Sequence, residues 1–379
     1  MHCLILLFTC LVIANAEDGG GVPQAGDPTA RLSPTSAGLL FLKRHQAADG
    51  SWVAATYQST CTDNPRCEPG AGGPDDTVAL TAQATVAFLG AGFDQRTPTK
   101  FKDTVGKALT WIIAQQGADG RIGTTIEAHA LATLALAEAC AMTNDPALRH
   151  PAQQAVGALL ARRLPGADRL PLAWGDSDAA GTATFDSRIT TTCTMALKSA
   201  LAAGLDVGDG LDRLRVWLDL AWKAGNPHWA TLDATMESTF PARWSPAAGA
   251  TGNDPAAGAA DALFLGRRWP DPLLGSLANR VMVTSFPGTT LPADLHSLYL
   301  GSMVQFQLGG DPWRTWNKAL RGLLASTQRS SADCFNGSWD PTDQTYANHE
   351  RGRLQSTIYA LLPLELYYHY NIDQRKTHP

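Results

Sequence analysis

Gly38-Leu39-Leu40-Phe41-Leu42-Lys43-Arg44-His45-Gln46-Ala47-Ala48-Asp49-Gly50-Ser51-Trp52 decides how this chain is read. It is an amphipathic helix that closes on Gln, turns at Gly and ends on a large apolar side chain. The same phrase recurs from Ala108 to Ile122, with Gln116, Gly120 and Ile122 in the corresponding places. A third copy runs from Leu320 to Gln328 and reaches Gly337-Ser338-Trp339 after a short insertion. One supersecondary unit used repeatedly implies stacked units that bury their apolar faces against neighbours.

Helical periodicity alternates with loops along the rest of the chain, and no convincing β alternation appears. The pattern predicts twelve helices in six pairs: about 35–46 with 75–91, 99–116 with 126–142, 145–163 with 186–203, 210–224 with 254–267, 271–285 with 294–307, and 312–327 with 352–369. The first member of each pair carries charge on one face, as at Lys102, Asp103 and Lys107. The second is apolar or small nearly all round, as from Ala130 to Ala137, and must be covered on most sides. Six inner helices ringed by six outer ones satisfy both patterns. The expectation is an all-α chain with one (α/α)6 toroid over residues 35–370 and a tail over 371–379. Gly after the inner helices and Pro at the start of the outer ones fit cap chemistry.

The chain of 379 residues is 44% apolar and 17% charged, with a net charge of −5. That balance offers no basic stripe for nucleic acid. Residues 3–13 form a short apolar run before Ala14-Asn15-Ala16, the pattern of a cleaved export signal over 1–16. The run is too short to span a membrane, so no transmembrane segment is expected in the mature chain. Residues 17–34, rich in Gly, Pro and Asp, read as a tether, and the mature protein as secreted or periplasmic. Export favours a local disulfide between Cys61 and Cys67; the alternative is a metal half-site, for which the sequence offers no matching second pair. Cys140 and Cys193 read as buried small hydrophobes, and Cys334 is left over. Trp52, Trp174, Trp229 and Trp339 read as plugs between units or, alternatively, as sugar-stacking platforms.

The Gln-to-Gly-x-Trp phrase resembles the repeat of the α/α-toroid superfamily of terpene cyclases and protein prenyltransferase β-subunits. The chain is also similar to exported bacterial proteins described only as prenyltransferase/squalene oxidase repeat proteins, through Glu127–Glu138, Met195–Leu205 and Phe306–Asn317. That resemblance implies the fold and no particular activity. A cyclase of the family would protonate an alkene from a D-x-D-D string. Here Gly73-Pro74-Asp75-Asp76 lacks the first Asp, and Asp75 with Asp76 reads as an N-terminal cap. The prenyltransferase zinc set of Asp, Cys and His is echoed by Asp333, Cys334 and His349, without the family's spacing. No metal site and no cofactor are expected.

Parallel inner helices would bring their N-termini to one mouth. The candidate binding residues there are Asp75, Asp76, Glu127, His129, Asp186, Arg188, Asp294, His296 and Arg353, with Arg351 beside them. Three readings follow. The first is a non-catalytic toroid binding a small apolar or extended ligand, a saccharide or a protein partner. The second is a polysaccharide lyase-like enzyme, with a cation on Asp75, Asp76, Asp186 and Asp294, Arg188 or Arg353 as base, and Trp229 and Trp244 stacking sugar. The third is a diverged terpene cyclase.

Overall fold

The computed structural model describes residues 33–166, 168–175, 185–221, 255–291, 293–341 and 351–375. The expected signal and most of the tether, together with Trp229, Trp244 and His349, lie outside the described residues.

The chain is all-α. Twelve α-helices occupy the described residues: α1 Pro34–Arg44, α2 Pro74–Gly90, α3 Lys102–Ala114, α4 Ile126–Thr143, α5 Pro146–Ala161, α6 Ser187–Ala202, α7 Gly210–Ala221, α8 Pro255–Phe264, α9 Pro272–Thr284, α10 Leu295–Leu308, α11 Gly310–Thr327 and α12 Gly352–Arg375. Two departures from the sequence reading stand out. Leu164–Pro165 and Pro171–Ala173 form a two-stranded antiparallel ribbon after α5, too short for period-two alternation to register. Helix α12 runs on through Arg375, so residues 371–375 continue a helix where a tail was expected.

The even-numbered helices pack in a closed cycle, α2 on α4, α4 on α6, α6 on α8, α8 on α10, α10 on α12 and α12 back on α2. Each odd-numbered helix leans on the inner helix that precedes it in the chain. Thus α3 lies on α2, α5 on α4, α7 on α6, α9 on α8 and α11 on α10, while α1 lies on α12. Every residue of α2 from Val78 to Gly90 is buried, as an all-round apolar helix requires.

The Gln of the opening phrase makes one recurring contact. Gln46 Nε2 donates to the carbonyls of Gly50 and Thr104, both at 2.9 Å. Gln116 Nε2 donates to Gly120 (3.1 Å) and Pro151 (2.9 Å). Gln328 Nε2 donates to Gly337 (2.9 Å) and Pro34 (2.8 Å). Each Gln therefore ties its own Gly turn to an adjoining outer helix, and Gln328 reaches the first helix of the chain. The Gly turn fits flat against that same helix. A Cβ added at Gly50, Gly120 or Gly337 would lie 2.5, 2.5 or 2.2 Å from the carbonyl oxygen of Lys107, Gln154 or Ala37.

The large apolar residue that follows is a plug. Trp52, Trp174 and Trp339 are fully buried, and their indole N–H groups donate to Leu42, Leu159 and Leu324 carbonyls at 2.8–2.9 Å. Their backbone N–H groups donate to Thr81, Thr190 and Thr357 hydroxyls on the inner helices. A buried indole with its polar edge satisfied combines large apolar burial with no desolvated donor.

Candidate functional site

The N-termini of the inner helices meet at one end of the ring, joined by charged side chains. Carboxylates suit these positions because they complement the helix dipole and accept unbonded N–H groups. Asp186 accepts from Ile189 N (2.9 Å), and Asp294 from Ser297 N (3.1 Å). Asp76 closes the start of α2 on Gly73 N (2.7 Å). Asp75 turns away from its own helix and accepts from Thr124 N (2.6 Å), Thr125 N and the Thr124 hydroxyl, pinning the entry to α4.

Two arginines join helices that are not neighbours in the cycle. Arg351, immediately before α12, donates from Nε to Asp76 (2.7 Å) and from its guanidinium end to Glu127 on α4 (3.0 Å). It is buried, and the carboxylates hold its positive charge above its ordinary range against the cost of desolvation. Arg188 on α6 pairs with Asp294 at the start of α10 and donates to Ser297 Oγ at 2.9 Å. Burial works against the Asp294 carboxylate, but Arg188 and His296 hold it below the usual range. The carboxylates keep open faces: side-chain exposures are 25% for Asp76, 27% for Glu127 and 21% for Asp294.

Between these pairs stands Tyr359 of α12. Its phenol oxygen accepts from Gln83 Nε2 on α2 at 2.7 Å, and its ring lies 5.1 Å from that of His296 on α10. Burial keeps the phenol neutral, with its pKa raised, and Glu127, Arg351, Arg188 and Asp294 all act on it electrostatically. Tyr359 and Gln83 were not singled out from the sequence. The available signal for Gln83 is an amide in the middle of a helix built otherwise of small, apolar and Thr side chains; Tyr359 lies in a helix of mixed polarity and gives no such signal.

Below the mouth, Arg188, Thr192, Met195 and Ser199 share one stripe of α6 and are partly exposed while most positions between them are buried. Ser199 Oγ donates to Glu138 Oε1 at 3.4 Å, toward the end of α4 away from Glu127.

Two expected mouth residues sit elsewhere. His129 is fully buried. Its Nδ1 accepts from Ile122 N (3.1 Å) and its Nε2 donates to the Ala155 carbonyl (3.1 Å). It fills the place that Thr81, Thr190 and Thr357 take under the Trp plugs. Burial, with help from Arg162, lowers its pKa to about 4, so it is neutral. Arg353 faces the outer rim, buried over the Phe335 ring (4.4 Å) and paired with Asp340 (2.7 Å) and Glu68 (3.1 Å). Nor do Asp75, Asp76, Asp186 and Asp294 converge as a cation site: each is held by the separate partners named above.

A different group converges. His45, Cys61, Cys67 and Cys334 are all buried, with their ligand-type atoms within 4.8 Å of one another. Cys61 and Cys67 are free thiols, not the expected disulfide. Each points at His45 Nε2, alongside Cys334, instead of at the other alone. Asp333 turns to Ser331 and to Phe335 N and is no part of the group.

Among known proteins, no family model matches this chain, and no curated protein matches it. Among solved structures, a novel alpha-amylase from Clostridium perfringens superposes with a TM-score of 0.56 at 10% identity. The match covers 90% of this chain and 100% of that one. Identity this low speaks to the fold alone.

Proposed function

We propose that the inner-helix mouth binds a hydroxyl-rich ligand of the saccharide class, and that the ring is a binding protein. The observation that carries this reading is the setting of Tyr359. A neutral phenol and the Gln83 amide lie between two cross-ring ion pairs whose carboxylates still offer lone pairs. Sugar hydroxyls donate to carboxylates and accept from guanidinium N–H groups, and such charge-assisted bonds are the strong ones. A polyprenyl chain would strip water from these charges and return nothing. The name of the alpha-amylase neighbour is in keeping with a saccharide, by analogy of fold.

Binding without hydrolysis is the reading the described carboxylates support. Glycoside hydrolysis pairs a carboxylate with a carboxylic acid held protonated across the scissile bond. At the mouth Asp294 is held ionised, and Asp76 and Glu127 share Arg351. Among the described residues, the acids with raised pKa, Asp261 and Glu365, are fully buried. A lyase-like reading of the same site rests on the His296–Tyr359 contact, which sets an imidazole beside a phenol. Export is proposed from the apolar run and Ala14-Asn15-Ala16, and kinship with the prenyltransferase/squalene oxidase repeat proteins from the recurring Gln, Gly and Trp contacts.

A thermal-shift screen against starch-type oligosaccharides, uronate oligosaccharides and polyprenyl alcohols tests the proposal, with Tyr359→Phe and His296→Ala in parallel. A saccharide shift that is reduced in both variants is expected. A shift with polyprenyls alone would overturn the reading, and an unsaturated sugar product would move it to the lyase form.

A further inference from the structure

We propose that His45, Cys61, Cys67 and Cys334 form a tetrahedral zinc site that clasps the first and last helical pairs together. The four side chains come from three separate stretches. His45 follows the last residue of α1, Cys61 and Cys67 lie in the loop between α1 and α2, and Cys334 sits in the turn after α11. His45 and Cys334 are 289 residues apart in sequence, yet His45 Nε2 lies 3.2 Å from Cys334 Sγ. It lies 3.4 Å from Cys61 Sγ and 3.6 Å from Cys67 Sγ. Zinc bonds of about 2.3 Å to sulfur and 2.0–2.1 Å to nitrogen in a tetrahedron put N and S about 3.6 Å apart. The three N–S separations of 3.2–3.6 Å lie close to that spacing, and all four ligand-type atoms fall within 4.8 Å of one another.

The surroundings are those of a ligand set. His45 Nδ1 lies 2.8 Å from the Phe41 carbonyl, so Nδ1 carries the proton and the Nε2 lone pair faces the three sulfurs. Cys67 N donates to Cys61 Sγ at 3.4 Å, an outer contact that steadies a thiolate ligand. Zinc with three thiolates and one imidazole leaves a single negative charge. Arg44 and Arg353 are near enough to act on His45 electrostatically and offset it. A local disulfide would use two of the three sulfurs, whereas zinc uses all four donors.

The position gives the site a purpose. Gln328–Pro34, Arg44–Asn336 and Arg353–Glu68 also join the last pair to the first, so the metal sits where the ring must close. Closing so long a loop is the most entropically demanding contact in the chain, and a metal cross-link offsets it.

The test is elemental analysis of the full chain, purified without chelator, together with alkylation of its thiols under denaturing, non-reducing conditions. One zinc per chain is expected, with all five described cysteines alkylated once the metal is stripped. Stripping the metal is expected to lower Tm by at least about 5 °C, restored by added Zn²⁺. Cys334→Ser and His45→Ala are expected to lose the metal, and the wild-type stoichiometry stands whether or not these variants fold. A Cys61–Cys67 disulfide, or metal-free protein whose Tm ignores added Zn²⁺, would overturn the proposal.

Discussion

Arg188 on α6 pairs with Asp294 at the start of α10, reaching past the helix that separates them in the ring. A side chain spanning two neighbours needs the inner helices to sit at fixed depth and orientation, so this pair reports on the assembled mouth. Asp294 is held below its ordinary pKa, by Arg188 foremost among the charges acting on it. A depressed carboxylate contributes stability above its unfolded pKa and loses it as pH falls through the folded value. Arg188→Gln is therefore expected to cost about 1–2 kcal/mol at pH 7, allowing for partial exposure, and the deficit shrinks below about pH 4. Urea unfolding at pH 3 and pH 7 checks it, and an equal deficit at both contradicts it.

Asp261 on α8 runs the other way. It is fully buried, and desolvation raises its pKa to about 7, although Thr191 Oγ1 donates to it at 2.9 Å. A raised carboxyl favours the folded state in its protonated form. Its contribution is full below the unfolded pKa and is lost as pH rises to about 7. Asp261→Asn is expected to gain on the wild type steadily from pH 4 to pH 7, by roughly 1.4 kcal/mol per pH unit at most. Denaturant midpoints across that range measure the gain, and a pH-independent difference would show that Asp261 does not titrate there.

Gln46, Gln116 and Gln328 make one contact in three places. Replacing any of them by Ala leaves two carbonyls without their donor, at a cost of roughly 1–3 kcal/mol. If the ring closes through Pro34, Gln328→Ala costs as much as Gln46→Ala. A much smaller loss at Gln328 would mean that the first and last pairs part readily in solution.

Glycines separate by role. Gly337 has φ +89°, and a Cβ there meets the Ala37 carbonyl oxygen, so Gly337→Ala is expected to destabilise by more than about 2 kcal/mol. Gly157 of α5 and Gly322 of α11 have open space where a Cβ would go. Alanine at either is expected to stabilise by about 0.5–1 kcal/mol, because a helix-interior glycine only adds unfolded freedom. Melting curves of the three variants separate these outcomes.

The pairing of helices and the burial of the inner set were legible because periodicity and composition are local properties. So were the plugs at Trp52 and Trp339, since each sits two residues after its Gly, whereas Trp174 follows the β-ribbon instead. The mouth was legible as a place, because helix N-termini collect carboxylates. What each residue does there was not. His129 and Arg353 share the sequence neighbourhood of Glu127 and Arg351, yet one is folded under Ile122 and the other reaches the outer rim. Glu127 and His129 are two residues apart and so cannot share a helix face, but that spacing does not say which one is buried. Convergence of His45 and Cys334 depends on ring closure across 289 residues, which no local pattern encodes. The unpaired Cys334 beside a Cys61–Cys67 spacing was the available hint, and an export signal steered it toward a disulfide.

The central claim is that Tyr359 anchors a saccharide at the inner-helix mouth. Calorimetric titration of wild type and Tyr359→Phe with the saccharide that gives the largest thermal shift tests it most directly. Loss of one hydroxyl hydrogen bond is expected to weaken binding about tenfold, at unchanged stoichiometry and with the fold intact by circular dichroism. Equal affinity in the two proteins would place the ligand elsewhere and contradict the account.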